Sequence, residues 1–314
     1  MTLLHAIIIA LLQGVSELFP VSSLGHAVLL PRLLHWNINE KSDTWLAFLV
    51  ALHIGTAAAL LIYFRDDWVS VVKAFVRSVQ TGQMSEDHDQ RLAWMVVLGT
   101  IPAGFVGFVL QNPLKSLFAS PAAAAVFLIV NGVIMFAGER LLQRQTAQQA
   151  QVRGSRVRLQ RVAGGDAMPG GNVGARPIGP DTGRFRDITE LSWRDAAIVG
   201  FAQVGSLFPG ISRSGVTMVA GLAAGLTHEA AARYTFLLAT PIIAAAGVLE
   251  VPLLFGHSGR SVLGDAIIGM FLAGIAAYFS VRYLMRYFEF GRLYPFAYYC
   301  WAAGAVSLIL LTIN

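Results

Sequence analysis

Leu18-Phe19-Pro20-Val21-Ser22-Ser23-Leu24-Gly25-His26 and Leu207-Phe208-Pro209-Gly210-Ile211-Ser212-Arg213-Ser214-Gly215 are two interruptions of one kind in an apolar chain. Each reads Leu-Phe-Pro, then a short serine-rich turn, then glycine. A glutamine precedes each proline by one to two helical turns, Gln13 in the first and Gln203 in the second. Each interruption ends one helix and starts another. It separates Leu3–Phe19 from Val21–Leu34, and Ala196–Phe208 from Val216–Leu226. All four segments fall short of the roughly 20 apolar residues that a membrane span needs. Such pairs of short apolar segments read as re-entrant hairpins rather than crossings.

The rest of the chain supplies the crossings. Its 314 residues are 55% hydrophobic and only 13% charged, with a mean hydropathy of +0.61. A soluble domain carries about 25% charged residues. Half of that cannot cover a water-facing surface, so the composition excludes a soluble protein, and it excludes a disordered one for want of polarity. Six segments are long and apolar enough to span: Trp45–Phe64, Leu92–Leu110, Pro121–Gly138, Tyr234–Gly256, Val262–Val281 and Leu293–Ile313. Three follow each interruption. The expected fold class is therefore an all-α integral membrane protein with an inverted-topology repeat. Each half is a re-entrant broken-helix hairpin plus three transmembrane helices. An odd number of crossings per half inverts the second half relative to the first, and paired interrupted segments are where such folds bind their ligands.

Charge placement agrees with this layout. With the N-terminus outside, the inner side holds Arg65, Lys73, Arg77, Arg91, ten arginines from Arg140 to Arg194, and Arg282, Arg286 and Arg292. The outer side holds only Arg32, Lys41, Lys115 and Arg260. That asymmetry follows the positive-inside rule. The net charge of +5 thus records topology, and no nucleic-acid partner is expected. Residues 1–142 form the first membrane repeat, 143–191 a flexible basic cytoplasmic linker, and 192–314 the second repeat, together one membrane domain. The single cysteine, Cys300, excludes an internal disulfide and a multi-cysteine metal site. No Walker-type loop, dinucleotide fingerprint or zinc-ligand spacing occurs.

The chemistry gathers at the interruptions. A new helix start presents unpaired N–H groups and the positive end of a dipole, a setting made for phosphate. Ser22 and Gly25 in the first turn, and Gly210, Ser212, Arg213, Ser214 and Gly215 in the second, are the expected phosphate-binding residues. Arg213 is the sharpest of them. An arginine in a membrane-embedded turn is costly unless it is paired or functional, and its planar fork holds phosphate oxygens bidentately. The plain alternative is an ion pair to Glu17 that locks the hairpins. Glu17 follows Gln13 by four residues, so both occupy one helical face. Together they could ligate a hard divalent cation through oxygen, or Glu17 could act as a general base. His26, beside Ser22 and Ser23, could act as an acid or base or position a serine. His53, in the middle of a span, reads as an interior polar residue.

Gln13-Gly-Val-Ser-Glu17 followed by Pro20-Val21-Ser22-Ser23-Leu24-Gly25-His26, with Pro209-Gly210-Ile211-Ser212-Arg213-Ser214-Gly215 later on, resembles the undecaprenyl-diphosphate phosphatase family of the bacitracin-resistance type. The resemblance covers nearly the whole chain except the central loop. It implies hydrolysis of undecaprenyl diphosphate to the monophosphate, which recycles the lipid carrier for cell-wall synthesis. It further implies a bacterial plasma-membrane enzyme whose site faces the periplasm, a divalent cation (magnesium or calcium), and a polyprenyl diphosphate held among membrane lipids. By position it makes Glu17, Ser23, His26 and Arg213 the catalytic group. Gln13 stands where the family more often has Glu, which weakens the charge available to a cation and shifts that task toward Glu17. A homodimer is a further expectation. The rival reading is a transporter or flippase of a lipid phosphate or other anion. It needs the arginine and the helix ends but not a Ser, His and Glu beside them.

Overall fold

The structure, a computed structural model, describes residues 1–39, 42–82, 87–110, 117, 120–163, 186–256 and 260–313. For 145–163, 249–251 and 253 it describes the backbone alone. The described chain is helical, with one isolated bridge between Arg186 and Leu226. Six helices are long and apolar enough to cross a membrane: Asp43–Tyr63 (α3), His88–Val109 (α5), Pro121–Ala163 (α6, apolar to Arg144), His228–Phe255 (α9), Leu263–Phe288 (α10) and Tyr294–Ile313 (α11).

The interruptions produce four short helices, Leu3–Ser16 (α1) and Ser23–Leu33 (α2), then Trp193–Ala202 (α7) and Arg213–Ala223 (α8). A five-residue 3-10 turn, Gln203–Leu207, extends α7. At 1.5 Å per residue these helices reach only about 15–21 Å, well short of the roughly 30 Å hydrocarbon core.

The helix starts obey local capping chemistry. Ser42 Oγ accepts from Trp45 N at 3.2 Å and opens α3. Thr227 Oγ1 accepts from Ala230 N at 3.0 Å and opens α9, six residues ahead of its apolar run. The polar stretch after the first span is a helix as well: Arg65–Thr81 (α4). Its alternation was legible only as amphipathicity, with Val71, Ala74 and Ser78 turned inward onto α5 while Val69, Val72, Val76 and Val79 face outward.

Within residues 143–191, read as a linker, both ends carry described structure. α6 runs on to Ala163, so its first part is helical. Its end is docked, because Ile188 and Leu191 are buried and Arg186 exchanges backbone hydrogen bonds with Gly225 (2.9 Å) and Thr227 (3.2 Å). The Arg186 guanidinium also reaches Ala224 O, and it lies 3.0 Å from Asp195. The remainder of the linker, 164–185, and the outer lysines Lys41 and Lys115 lie outside the described residues.

α10 is the platform for the first half of the site. α1 and α3 both pack on it. They do so through glycines whose absent side chains permit close approach. A Cβ on Gly14 would lie 2.3 Å from Ala273 O, and one on Gly55 would lie 2.1 Å from Met270 O. The approach draws Gln13, next to Gly14, toward His53, two residues before Gly55.

Candidate active site

The two interruptions meet tip to tip. Ser22 caps α2, its Oγ accepting from Gly25 N at 3.3 Å, and Ser212 caps α8, its Oγ accepting from Gly215 N at 3.3 Å. Each cap satisfies a first-turn donor. Ser22 Oγ also accepts from Gly210 N across the gap at 3.2 Å, and Ser214 Oγ donates to Phe19 O at 3.2 Å. Ser22 sits at φ 66° and Gly210 at φ 100°. A Cβ on Gly210 would lie 2.2 Å from Ala124 O, and one on Gly25 would lie 3.0 Å from Gly210 Cα. These glycines therefore let the turns touch each other and α6.

Asn131, in the apolar part of α6, holds the junction from the side. Its Nδ2 donates to Pro20 O at 2.9 Å, and its Oδ1 accepts from Ser212 N at 3.0 Å. One buried carboxamide thus serves a backbone group of each turn. Sequence reading missed it; the signal was a lone amide inside an apolar span. Asn131→Leu would leave the Ser212 N–H unpaired and Pro20 O with only the Cys300 thiol at 3.9 Å. It is expected to destabilise the protein by about 2–4 kcal/mol, read as a lower melting temperature in detergent together with lost activity. An unchanged melting temperature would show that the junction does not depend on it.

Glu17 lies one residue past α1 and is almost wholly enclosed. Its Oε1 is ion-paired with the Arg213 guanidinium from the opposite turn. Its Oε2 accepts from Ser23 Oγ at 2.5 Å and from Gln13 Nε2 at 2.9 Å. The ion pair expected as the plain alternative is therefore present, and the serine hydroxyl is present beside it. Only Nη2 of Arg213 is engaged among the described residues; its side chain stays one-fifth exposed, so its remaining N–H groups can take another anion. His53, read as an interior polar residue, belongs to this cluster, with Nε2 3.2 Å from Gln13 Nε2.

His26 makes its hydrogen bonds elsewhere. Its Nδ1 donates to Ser22 O at 2.7 Å, and its Nε2 lies 2.7 Å from Tyr299 OH, with the two rings stacked at 5.6 Å. The structure thus brings Gln13, Glu17, Ser23 and Arg213 into one group. His26 is hydrogen-bonded to none of these four. Tyr299 had no signal in the sequence beyond being one of several aromatics in its span. The hydroxyls of Ser212 and Ser214 lie 2.9 Å apart and are engaged within the junction.

A hydroxyl touching a carboxylate that is itself paired with a guanidinium is suited to phosphoryl transfer. Among the described residues no group of three or more His, Cys, Asp or Glu side chains could cage a metal ion. Glu17 and Gln13 would share a magnesium-type ion only with the Gln13 amide turned over, because its NH2 group now faces Glu17 Oε2.

Comparison with known proteins gives a single direction. Residues 6–306 match the family described as bacitracin resistance protein BacA. The chain is 44% identical to undecaprenyl-diphosphatase 2 of Frankia alni over 340 aligned residues, covering 100% of this chain and 99% of that protein. It is 43% identical to the undecaprenyl-diphosphatase of Mycolicibacterium paratuberculosis, covering 99% and 97%. With the undecaprenyl-diphosphatase of Acidiphilium cryptum the identity is 42%, covering 99% of each.

Proposed function

This chain belongs to the BacA bacitracin-resistance family, and from that premise we propose that it is a multi-pass membrane phosphatase that hydrolyses undecaprenyl diphosphate to undecaprenyl phosphate and phosphate, recycling the lipid carrier for cell-wall synthesis. The observation that carries the reading is the junction of Glu17, Ser23 and Arg213 from two turns nearly 200 residues apart in sequence, at the helix starts where a diphosphate would be received.

In the mechanism this geometry supports, the terminal phosphate competes with Glu17 for Arg213. Arg213 moves onto the phosphate oxygens and stabilises the charge that spreads over them. Glu17 is thereby released from its ion pair and becomes the stronger base. It takes the proton of Ser23 Oγ, which already donates to it at 2.5 Å. The Oγ attacks the terminal phosphorus in line, and the bond from phosphorus to the bridging oxygen breaks. Glu17 returns its proton to that oxygen as undecaprenyl phosphate leaves. Water then attacks the phosphoserine; Glu17 takes a proton from it, phosphate departs, and Ser23 recovers the proton. His26 pins the turn that carries Ser23 through its bond to Ser22 O. A magnesium or calcium ion held by Glu17 and Gln13 would neutralise phosphate charge.

We place the site on the periplasmic side and read the two halves as inverted repeats. Two observations support this. The basic residues crowd the opposite side. In addition, α1 of the first hairpin packs on α10, the second span of the other half, while α7 packs on α5, the second span of the first half, an exchange that fits a two-fold relation between the halves.

The test is phosphate release from a long-chain polyprenyl diphosphate by purified protein in detergent, with magnesium and with a chelator. Release that needs the cation supports the reading. Well-folded protein that binds the lipid without releasing phosphate would overturn it.

A further inference from the structure

We propose that Tyr299 is a positioning residue of this site: its hydroxyl holds the His26 ring against the Ser22 carbonyl, and so aims the Ser23 hydroxyl from a helix at the far end of the chain. The inference rests on the phosphatase reading and deepens it, by naming what holds the turn that carries Ser23.

The Ser22 carbonyl belongs to the planar peptide unit that begins Ser23. Whatever fixes that carbonyl also fixes the backbone from which Ser23 Oγ reaches Glu17 Oε2 at 2.5 Å. Ser22 needs such fixing. Its φ of 66° and ψ of 97° lie where a residue with a side chain is rarely found. A conformation of that kind persists only where its surroundings over-determine it. His26 gives the carbonyl two bonds, from its backbone N–H at 3.3 Å and from Nδ1 at 2.7 Å. The ring can keep its bond in place only if it is itself held. Tyr299 holds it twice, with its OH 2.7 Å from Nε2 and its own ring stacked on the imidazole at an interplanar angle of 12°. A phenol can both donate and accept, so the contact does not depend on the charge of the imidazole.

Two further observations set Tyr299 apart from an ordinary aromatic of a span. Tyrosines that anchor a helix in the bilayer sit at its ends, at headgroup level. Tyr299 is instead the sixth residue of α11, about 8 Å along its axis. A hydroxyl at that depth is costly without a partner, and His26 is the partner it has. The next residue, Cys300, is buried, with its thiol 3.9 Å from Pro20 O and 3.4 Å from Asn131 Nδ2. Successive residues of α11 therefore meet both ends of the first turn. α11 also packs along α6, so the frame that carries Asn131 carries Tyr299 as well.

The experiment compares kcat and KM for phosphate release from a polyprenyl diphosphate by purified full-length protein in detergent, with the melting temperature recorded for each variant. Tyr299→Phe keeps the stacked ring and loses the hydroxyl. It is expected to lower kcat about 10-fold, the scale of one lost hydrogen bond. KM should stay within about 3-fold of the wild type, because Arg213 and the helix starts are untouched. Replacing Tyr299 by p-aminophenylalanine restores a donor at the same place and should return kcat to within about 3-fold of the wild type. In a His26→Ala background, adding Tyr299→Phe should cost no more than about 2-fold, because residues in one hydrogen-bonded chain are not additive. Equal losses in both backgrounds, or a loss that p-aminophenylalanine does not restore, would reduce Tyr299 to a packing residue and overturn the proposal. Wild-type kcat in Tyr299→Phe would overturn the Tyr299 role alone. Wild-type protein that binds the lipid without releasing phosphate would overturn the phosphatase reading, and this inference with it.

Discussion

Arg213→Ala is expected to lower kcat/KM for phosphate release by about 10^3-fold or more, on the scale of losing an arginine that stabilises a transferring phosphoryl group. Arg213 is the one arginine or lysine ion-paired with Glu17 of the Glu17 and Ser23 cluster among the described residues. Arg213→Lys keeps a charge but loses the bidentate fork, and it should retain measurable activity while still falling about 10^2-fold. Stability must be separated from catalysis here, because removing the guanidinium leaves Glu17 enclosed and unpaired, a change that typically costs about 3–5 kcal/mol. The double variant Arg213→Ala with Glu17→Gln removes both charges. It should melt closer to the wild type than Arg213→Ala does, yet remain inactive. An Arg213→Ala protein that folds and turns over at a near-normal rate would remove the arginine from the reaction.

Glu17→Gln is expected to cut kcat by about 10^3-fold, within the range for loss of a general base, with a smaller effect on KM. The amide preserves the shape of the side chain and can still accept from Ser23 Oγ. It cannot take the proton, and it no longer offers the charge that Arg213 and a cation share. Arg213 then has no counter-ion among its described partners, so the empty enzyme should hold phosphate or a diphosphate analogue at least as tightly as before. Binding of a polyprenyl diphosphate analogue, measured beside single-turnover phosphate release, separates the two effects. Parallel loss of binding and turnover would mean that Glu17 serves only to hold the junction together.

The fold was legible where physics writes itself along one segment. Length and apolarity marked six spans, and the two Leu-Phe-Pro interruptions marked the breaks. Amphipathic α4 escaped because its apolar stripe is diluted by Asp66, Asp67, Lys73 and Arg77, so that a search for continuous hydrophobicity reads it as loop. Within the site, Glu17, Ser23 and Arg213 stood out as polar groups in membrane-embedded turns, and the structure places them together. Asn131 and His53 were harder to recognise, since their roles depend on which helix faces them. Asn131 matters only because Pro20 O and Ser212 N converge on it, and His53 only because α1 and α3 share α10. Serines and glycines of the turns carried the opposite ambiguity. Ser22, Gly25 and Gly210 have the composition of an anion cradle, but their contacts in the structure are with one another and with α6.

The pairing of Glu17 with Arg213 also dictates an order of assembly during synthesis. The acid is translated long before the base, and everything from α2 to α7 must be made in between. Until Arg213 emerges, a hairpin holding an ionised Glu17 has no counter-charge to offset the cost of leaving water. The nascent first half is therefore driven to keep that hairpin near the wet surface while its three spans enter the bilayer. Docking becomes favourable only when the second hairpin arrives with its guanidinium, and both then sink together. The junction is in this way deferred to late in translation: no ribosome-bound fragment lacking the second turn contains it.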